Sequence, residues 1–479
     1  MNRNSRIWKR LVVLAVATLV LGIFGTSIVI GQDEVAAPSA EDFLSVSIAI
    51  DTVWVMISSI IVFFMQAGFA MLEAGVIRQK GVVNALLENF VDAAVTAICW
   101  WLIGFGLAFG TSSGGLFGTS MFMPGVADMD ASFGSLNLSV MVMFFFQFAF
   151  AATAATIATG AMAERTDFVG DLIYTVVIAV FIYPIVVHWI WGGGWIAGLG
   201  FHDFAGSTVV HTTGGIIALV GAWMLGPRVG RVWGSMPRPH NLGMATLGTM
   251  ILWFGWYGFN AGSTLGAVGY GGLIGIVAVN TTLAAATGAV TAMFIQFFRT
   301  RKWDLGWTLN GSLAGLVAVT AGCAFVSPLS SLIIGVMGAI VLIIAIEAVE
   351  KVKIDDAVGA FAVHGACGIL GTLAVGLFAE SALTFNGEAG LFNGGGLALL
   401  GVQATGSLAT VAFVGVSSVI MFGALKAIGK LRVSSKADVV GIDIYEHGAS
   451  VWPDVLPFPE DDVAKGKPGV ATPSPAVGD

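Results

Sequence analysis

The chain has 479 residues, of which 57% are hydrophobic, 65 are glycine and only 10% are charged, whereas a soluble domain carries roughly 25% charged residues. A mean hydropathy of +0.90, spread over repeated apolar runs of about 20 residues, calls for a bilayer, because a helix of that length spans its ~30 Å core. The net charge of -8 is dispersed over loops, chain ends and single sites within the apolar runs, which excludes nucleic acid as a partner.

Arg3, Arg6, Lys9 and Arg10 precede an apolar run from Leu11 to Ile30, and polar, Pro-containing sequence follows. This pattern predicts a signal peptide over 1–32. Its apolar core is longer than the usual ~7 to 15 residues and no clean A-x-A site follows it, so an uncleaved anchor is the other reading. A membrane domain is expected over 45–430, with eleven spans near 46–76, 83–109, 139–163, 168–190, 207–226, 241–261, 271–298, 306–325, 329–350, 357–379 and 398–428. A cytoplasmic tail, 431–479, completes the chain. If the first span runs from outside to inside, every Lys and Arg of the 21 beyond the four N-terminal ones falls on the cytoplasmic side. The outer loops at 110–138, 192–206, 262–270, 326–328 and 380–397 contain none. The positive-inside rule then puts the N-terminus outside and the tail in the cytoplasm.

Cys99, Cys323 and Cys367 each lie in an apolar run, without a CxxC or Cys/His spacing, and read as packing residues rather than a disulfide or a metal site. The abundant Gly and Ala of the spans read as close helix packing in lipid. The fifth span contains Val210-His211-Thr212-Thr213-Gly214-Gly215-Ile216 and the tenth Val363-His364-Gly365-Ala366-Cys367-Gly368-Ile369, both VHxxxGI. Five spans is an odd number, so the copies run in opposite directions, as in inverted repeats that build a site at their interface. His211 and His364 could satisfy one another as neutral imidazoles, one donating and one accepting, and line a path for a small polar molecule or a proton. Haem ligation by the two rings is a rival use of the same pair.

Asp203 stands just before the fifth span, where a carboxylate caps free N–H groups and lends negative potential to the outer mouth. Trp191, Phe146 and Phe150 offer ring faces to a small cation. In the sixth span Phe259 and Ser263 share a helix face; if it meets the third span, Phe259 stacks on Phe150 beneath a mouth lined by Ser263. Such a plug excludes hydrated ions. There is no GxSxG, P-loop or HExxH, so an enzyme, and a pump in particular, is not expected. Asp355-Asp356 reads as surface charge at the cytoplasmic edge.

The runs DFAGSTVVH at 203–211, WYGFNAGS at 256–263, FQFAFAA at 146–152, AMAER at 161–165 and AVHGACG at 362–368 resemble the ammonium transporters of the Amt/Mep/Rh family. The resemblance covers roughly 45–450. It implies an all-α polytopic membrane protein, with eleven transmembrane helices and an inverted five-helix repeat around a central pore, assembled as a homotrimer without a cofactor. By position it implies an outer ammonium site of Trp191, Phe146 and Ser263 supported by Asp203, a gate of Phe150 and Phe259, and a pore lined by His211, His364 and Trp256. The tail segment from Gly441 to Gly448 is similar to the family's tail motif, which implies contact with a PII signal protein. Many members carry an aspartate five residues before the second histidine, where this chain has Gly359, so no carboxylate proton exit is expected there. The implied function is ammonium uptake across the plasma membrane, the cation losing its proton and crossing mainly as NH3. The alternative is an ammonium sensor with little flux, although a sensor would carry a fused signalling domain for which the tail is short.

Overall fold

The computed structural model describes residues 39–234 and 238–452, so the signal segment expected at 1–32 and the end of the tail lie outside the described residues. The chain forms two compact units, Met1–Val46 and Ser47–Asp479. In the first, the Ser39 N–H and hydroxyl both donate to the Asp42 carboxylate at 2.8 Å at the start of a helix.

Among the described residues, long helices occupy the positions of the eleven apolar runs. They are α1 (Ala40–Val76), α2 (Gln79–Phe109), α3 (Val140–Met162), α4 (Phe168–Ile190), α5 (Ser207–Leu225), α6 (Leu242–Ala261), α7 (Gly271–Thr300), α8 (Leu305–Thr320), α9 (Pro328–Lys351), α10 (Phe361–Phe378) and α11 (Ala398–Ala427). By length and composition 9 of them could cross a membrane, which makes this a helical multi-pass membrane protein. The other two are α6, diluted by Gly, Thr, Asn and Tyr, and α8, which has only 16 residues. From Gly311 to Thr320 helix α8 is buried by its neighbours, so protein rather than lipid sets its composition.

Side-chain caps fix where several helices begin. Ser139, Asp167, Asn241, Asp304 and Ser327 accept backbone N–H bonds at the starts of α3, α4, α6, α8 and α9, satisfying donors that a helix start leaves free. Pro184 sits inside α4 without an N–H to give, and the helix widens into a π turn over Ile178–Ile182 just before it. A matching π turn in α2, Trp100–Gly104, packs against this one so closely that a Cβ on Gly104 would lie 2.5 Å from the Ala179 carbonyl.

Among the described residues the Lys and Arg side chains gather at one end of the helices, here the basic end, where a buried ion network ties distant loops together. Asp355 accepts from Arg228 Nε at 2.8 Å and from Arg231 Nε at 3.0 Å. Glu164 accepts from Arg228 Nη1 at 2.6 Å and pairs with Arg78. Arg78 and Arg432 both reach Asp438, at 3.0 and 2.9 Å, in the short tail helix α12 (Ser435–Val440). Further along the tail, Asp443 caps α2 by accepting from the N–H groups of Val83 and Asn84 at 3.0 and 2.8 Å.

The expectation that Asp355-Asp356 is surface charge is therefore wrong. The two residues are only 1% and 8% exposed, because guanidinium groups from loops far away in sequence fold over them. Burial alone would raise the Asp355 carboxyl, but the Arg228 guanidinium outweighs it and holds the group well below the usual carboxylate range.

Asp355→Asn leaves buried guanidinium groups short of their counter-charge and should destabilise the protein by about 3–5 kcal/mol at neutral pH. A group with a depressed folded pKa gives stability that is present above its unfolded pKa of about 4 and is lost as pH falls through the folded value. Thermal unfolding in detergent across pH should show the wild-type advantage full at neutral pH and shrinking only in acid.

Candidate functional site

Helices α5 and α10 carry the two repeat copies, and both are built alike. Asp203 accepts four backbone bonds, from Gly206 and Ser207 at 2.9 Å on one oxygen and from Thr208 and Val209 at 2.8 and 2.9 Å on the other. Asp356 does the same for α10, accepting from Gly359, Ala360 and Phe361 at 3.1, 2.8 and 2.9 Å. In each copy the chain turns into the helix through a left-handed glycine, Gly206 at φ 115° and Gly359 at φ 84°. Both helices then open with a π turn, Ser207–Thr212 and Phe361–Ala366, and each π turn holds its histidine. Burial pushes the Asp203 carboxyl above its ordinary range and the Asp356 carboxyl up to about 6, while the backbone donors pull both down.

The helices cross almost backbone to backbone. A Cβ on Gly215 would lie 2.1 Å from the Gly365 nitrogen, and one on Gly368 would lie 2.5 Å from the Ser207 carbonyl oxygen. This approach brings His211 and His364 together, Nδ1 to Nδ1 at 3.1 Å with ring centroids 5.1 Å apart. That is a hydrogen-bond distance, met when one ring donates and the other accepts. A metal held between the two nitrogens would need about 4 Å, so the haem reading does not fit.

Above the histidines the rings form a continuous stack. His211 lies against Trp256 at 5.1 Å and Phe259 at 5.4 Å, and Phe259 stacks on Phe150 at 4.1 Å and 23°. Phe150, Phe259 and Trp256 are fully buried. Trp256 is held by its N–H, which donates to Thr320 Oγ1 at 2.9 Å.

Beyond the Phe150–Phe259 pair lies a cavity of about 300 Å³, which we call the far cavity; Phe146, Phe150, Trp191, Ser263 and Gln147 contribute to its wall. Trp191 sits edge-on to Phe150 at 6.0 Å, and its N–H donates to the Asp203 carbonyl oxygen at 2.7 Å. Ser263 donates to the Phe259 carbonyl oxygen at 2.8 Å. Asp203 does not line this cavity: its carboxylate is committed to the α5 N-terminus and its carbonyl to Trp191. Its contribution to the cavity is the placement of that ring.

On the other side of the histidines, His364 borders a small cavity of about 20 Å³. It shares Leu72, Asn310 and Val358 with a third cavity, of about 230 Å³, which reaches Asp304 and Arg238 at the basic end.

Eight of the nine residues singled out in the sequence thus meet in one run of ring contacts and cavity wall, and the ninth, Asp203, stands behind it holding Trp191. Three groups hold places that the sequence did not assign them: Asp356, taken for surface charge, which reads as the partner of Asp203 once Asp-x-x-Gly and the following Val-His are aligned in both repeats; Gln147, whose side-chain oxygen is buried without a partner at the far cavity; and Glu73 in α1, which lines the small cavity. Glu73 had no local signal beyond being an acid inside an apolar run.

Two cavities thus lie on either side of a ring plug and a hydrogen-bonded imidazole pair. The Ammonium Transporter Family model matches residues 53–452, and the chain belongs to that family. It is similar to ammonium transporter Amt2 of Archaeoglobus fulgidus, 42% identical over 85% of this chain and 89% of the relative. It is also similar to ammonium transporter Amt1 of Haloferax mediterranei, 40% identical over 85% of this chain and 80% of the relative. Among solved structures it resembles one described as a sensor Amt protein, with a TM-score of 0.78 and 38% identity over 84% of this chain and 99% of that one.

Gly215→Ala places a methyl group into the Gly365 backbone and should force α5 and α10 apart. A loss of about 1–3 kcal/mol is expected, read as a lower thermal unfolding midpoint in detergent.

Proposed function

We propose that the protein takes up ammonium across the plasma membrane. NH4+ is gathered in the far cavity against the faces of Trp191 and Phe146, with Ser263 as a hydrogen-bond partner. It gives up its proton there and passes Phe150, Phe259 and the two histidines mainly as NH3. The observation that carries this reading is the His211–His364 hydrogen bond at 3.1 Å directly beneath the Phe150–Phe259 stack. An intact cation entering so apolar a passage loses its hydration at a cost of many kcal/mol, while ammonia needs only a few hydrogen bonds. The paired imidazoles supply those bonds without presenting a fixed charge.

In this reading the far cavity faces outside and the basic end faces the cytoplasm, as the one-sided distribution of Lys and Arg supports. All eleven helices span the bilayer, residues 45–430 forming the membrane domain, and 1–32 serve as signal peptide. The protein works as a homotrimer, and the tail, 431–479, is the contact for a PII signal protein. The docking of Asp438 and Asp443 against the basic end supports a tail that responds to such contact.

A second reading, an ammonium sensor with little flux, is favoured by the likeness to the sensor Amt protein at 38% identity. Uptake of radiolabelled methylammonium by proteoliposomes separates the two. Transport predicts saturable uptake that ammonium suppresses and potassium does not; competed binding with no accumulation would replace it with the sensor reading.

A further inference from the structure

The small cavity under His364 is about 20 Å³, room for roughly one water molecule. Its wall is apolar except for three side chains, His364, Asn310 and Glu73. Glu73 is 2% exposed and lies in the last turn of α1. Its carboxylate accepts from Thr159 Oγ1 at 2.9 Å on one oxygen and from Asn89 Nδ2 at 3.0 Å on the other. Each oxygen has a second lone pair, so two neutral donors do not exhaust it.

No Lys or Arg forms an ion pair with Glu73 among the described residues, although Arg78 is only five positions on and pairs with Glu164 and Asp438. A buried carboxylate without a cation is costly, and taking up a proton removes that cost. Its position next to the pore gives that proton a source. Gly359, at the start of the histidine-bearing α10, borders the same cavity without a side chain, which leaves Glu73 as the cavity's acid.

We propose that Glu73 is the proton station at the basic end of the pore, receiving from His364 through one water and returning the proton to ammonia. This rests on the transport reading above. The proton released by NH4+ in the far cavity passes along the His211–His364 hydrogen bond and converts the Glu73 carboxylate to the acid. Ammonia entering the small cavity takes that proton, so that acid and NH3 become carboxylate and NH4+, which leaves through the third cavity. One proton and one ammonia leave for each ammonium that enters, and Glu73 ends as it began. The proton and the ammonia part in the far cavity and meet again in the small one.

The test is Glu73→Gln in the full-length protein, reconstituted in liposomes and read in two ways: current on a solid-supported membrane after an ammonium jump, and internal alkalinisation with a pH-sensitive dye. The variant should lose current by about 100-fold, the usual worth of a positioned acid or base, while alkalinisation by neutral NH3 rises above that of empty liposomes. A merely structural glutamate would lower both readouts together, and that result overturns the proposal, as does an unchanged current. Should Glu73→Gln not reconstitute, Glu73→Asp decides, because it keeps the acid but withdraws it from the cavity. Reduced current with alkalinisation retained supports the station, and wild-type current rejects it. Wild-type alkalinisation without any current would remove the proton and overturn this inference alone; silence in both readouts would overturn the transport reading itself.

Discussion

Two imidazoles in a dry passage can stay neutral and share a hydrogen bond when a nitrogen of one meets a nitrogen of the other, and the 3.1 Å approach of His211 and His364 does this while leaving His211 Nε2 buried without a partner. The helices must come within backbone contact, which Gly215, Gly365 and Gly368 permit and any larger residue would prevent. Each helix must also begin at a fixed depth, or the rings would miss one another along the axis. Asp203 and Asp356 set that depth by gathering the first N–H groups of α5 and α10, and the π turns that follow rotate the histidines into the passage. The ring stack above then has a partner to rest on, since Phe259 and Trp256 both lie against His211.

Much of this was legible in the sequence because membrane helices announce themselves by composition, and because the repeat keeps its histidine while the rest diverges. The apolar runs predicted helix positions to within a few residues, apart from α1, which starts six residues earlier than the expected span. Ser263 lines the far cavity and Phe259, four residues before it, stacks on Phe150, although Ser263 lies in the turn that follows α6. What the sequence concealed has a common cause. Asp355 and Asp356 look like any charged membrane edge until loops from Arg228 and Arg231 close over them, and nothing local foretells that closure. Asp203 was readable as a cap but not as a residue whose carboxylate is fully consumed by capping. Glu73 touches the pore only because α1 passes beside α10, a tertiary neighbour no spacing rule supplies.

The basic end joins the tail to the start of α10 through a chain of ion pairs. Asp438 holds Arg78 and Arg432, Arg78 and Arg228 share Glu164, and Arg228 with Arg231 holds Asp355, the neighbour of the residue that caps α10. Buried ion pairs of this kind stabilise little beyond what their desolvation costs, but removing one partner is expensive, so the network behaves as a unit. A tail held in this way is positioned to feel and to influence the start of α10, which suits a transporter under control as well as a sensor that reports occupancy.

The account turns on the paired imidazoles as the neutral, hydrogen-bonding lining that admits ammonia and denies hydrated cations. The most direct test compares wild type with His211→Ala on a solid-supported membrane, with ammonium and potassium jumps in turn. The account predicts current with ammonium alone in the wild type, and in the variant either loss of that current or admission of potassium as the widened lumen fills with water. An unchanged ammonium current with potassium still excluded would contradict it, because selectivity would then reside above the histidines and their hydrogen bond would be structural only.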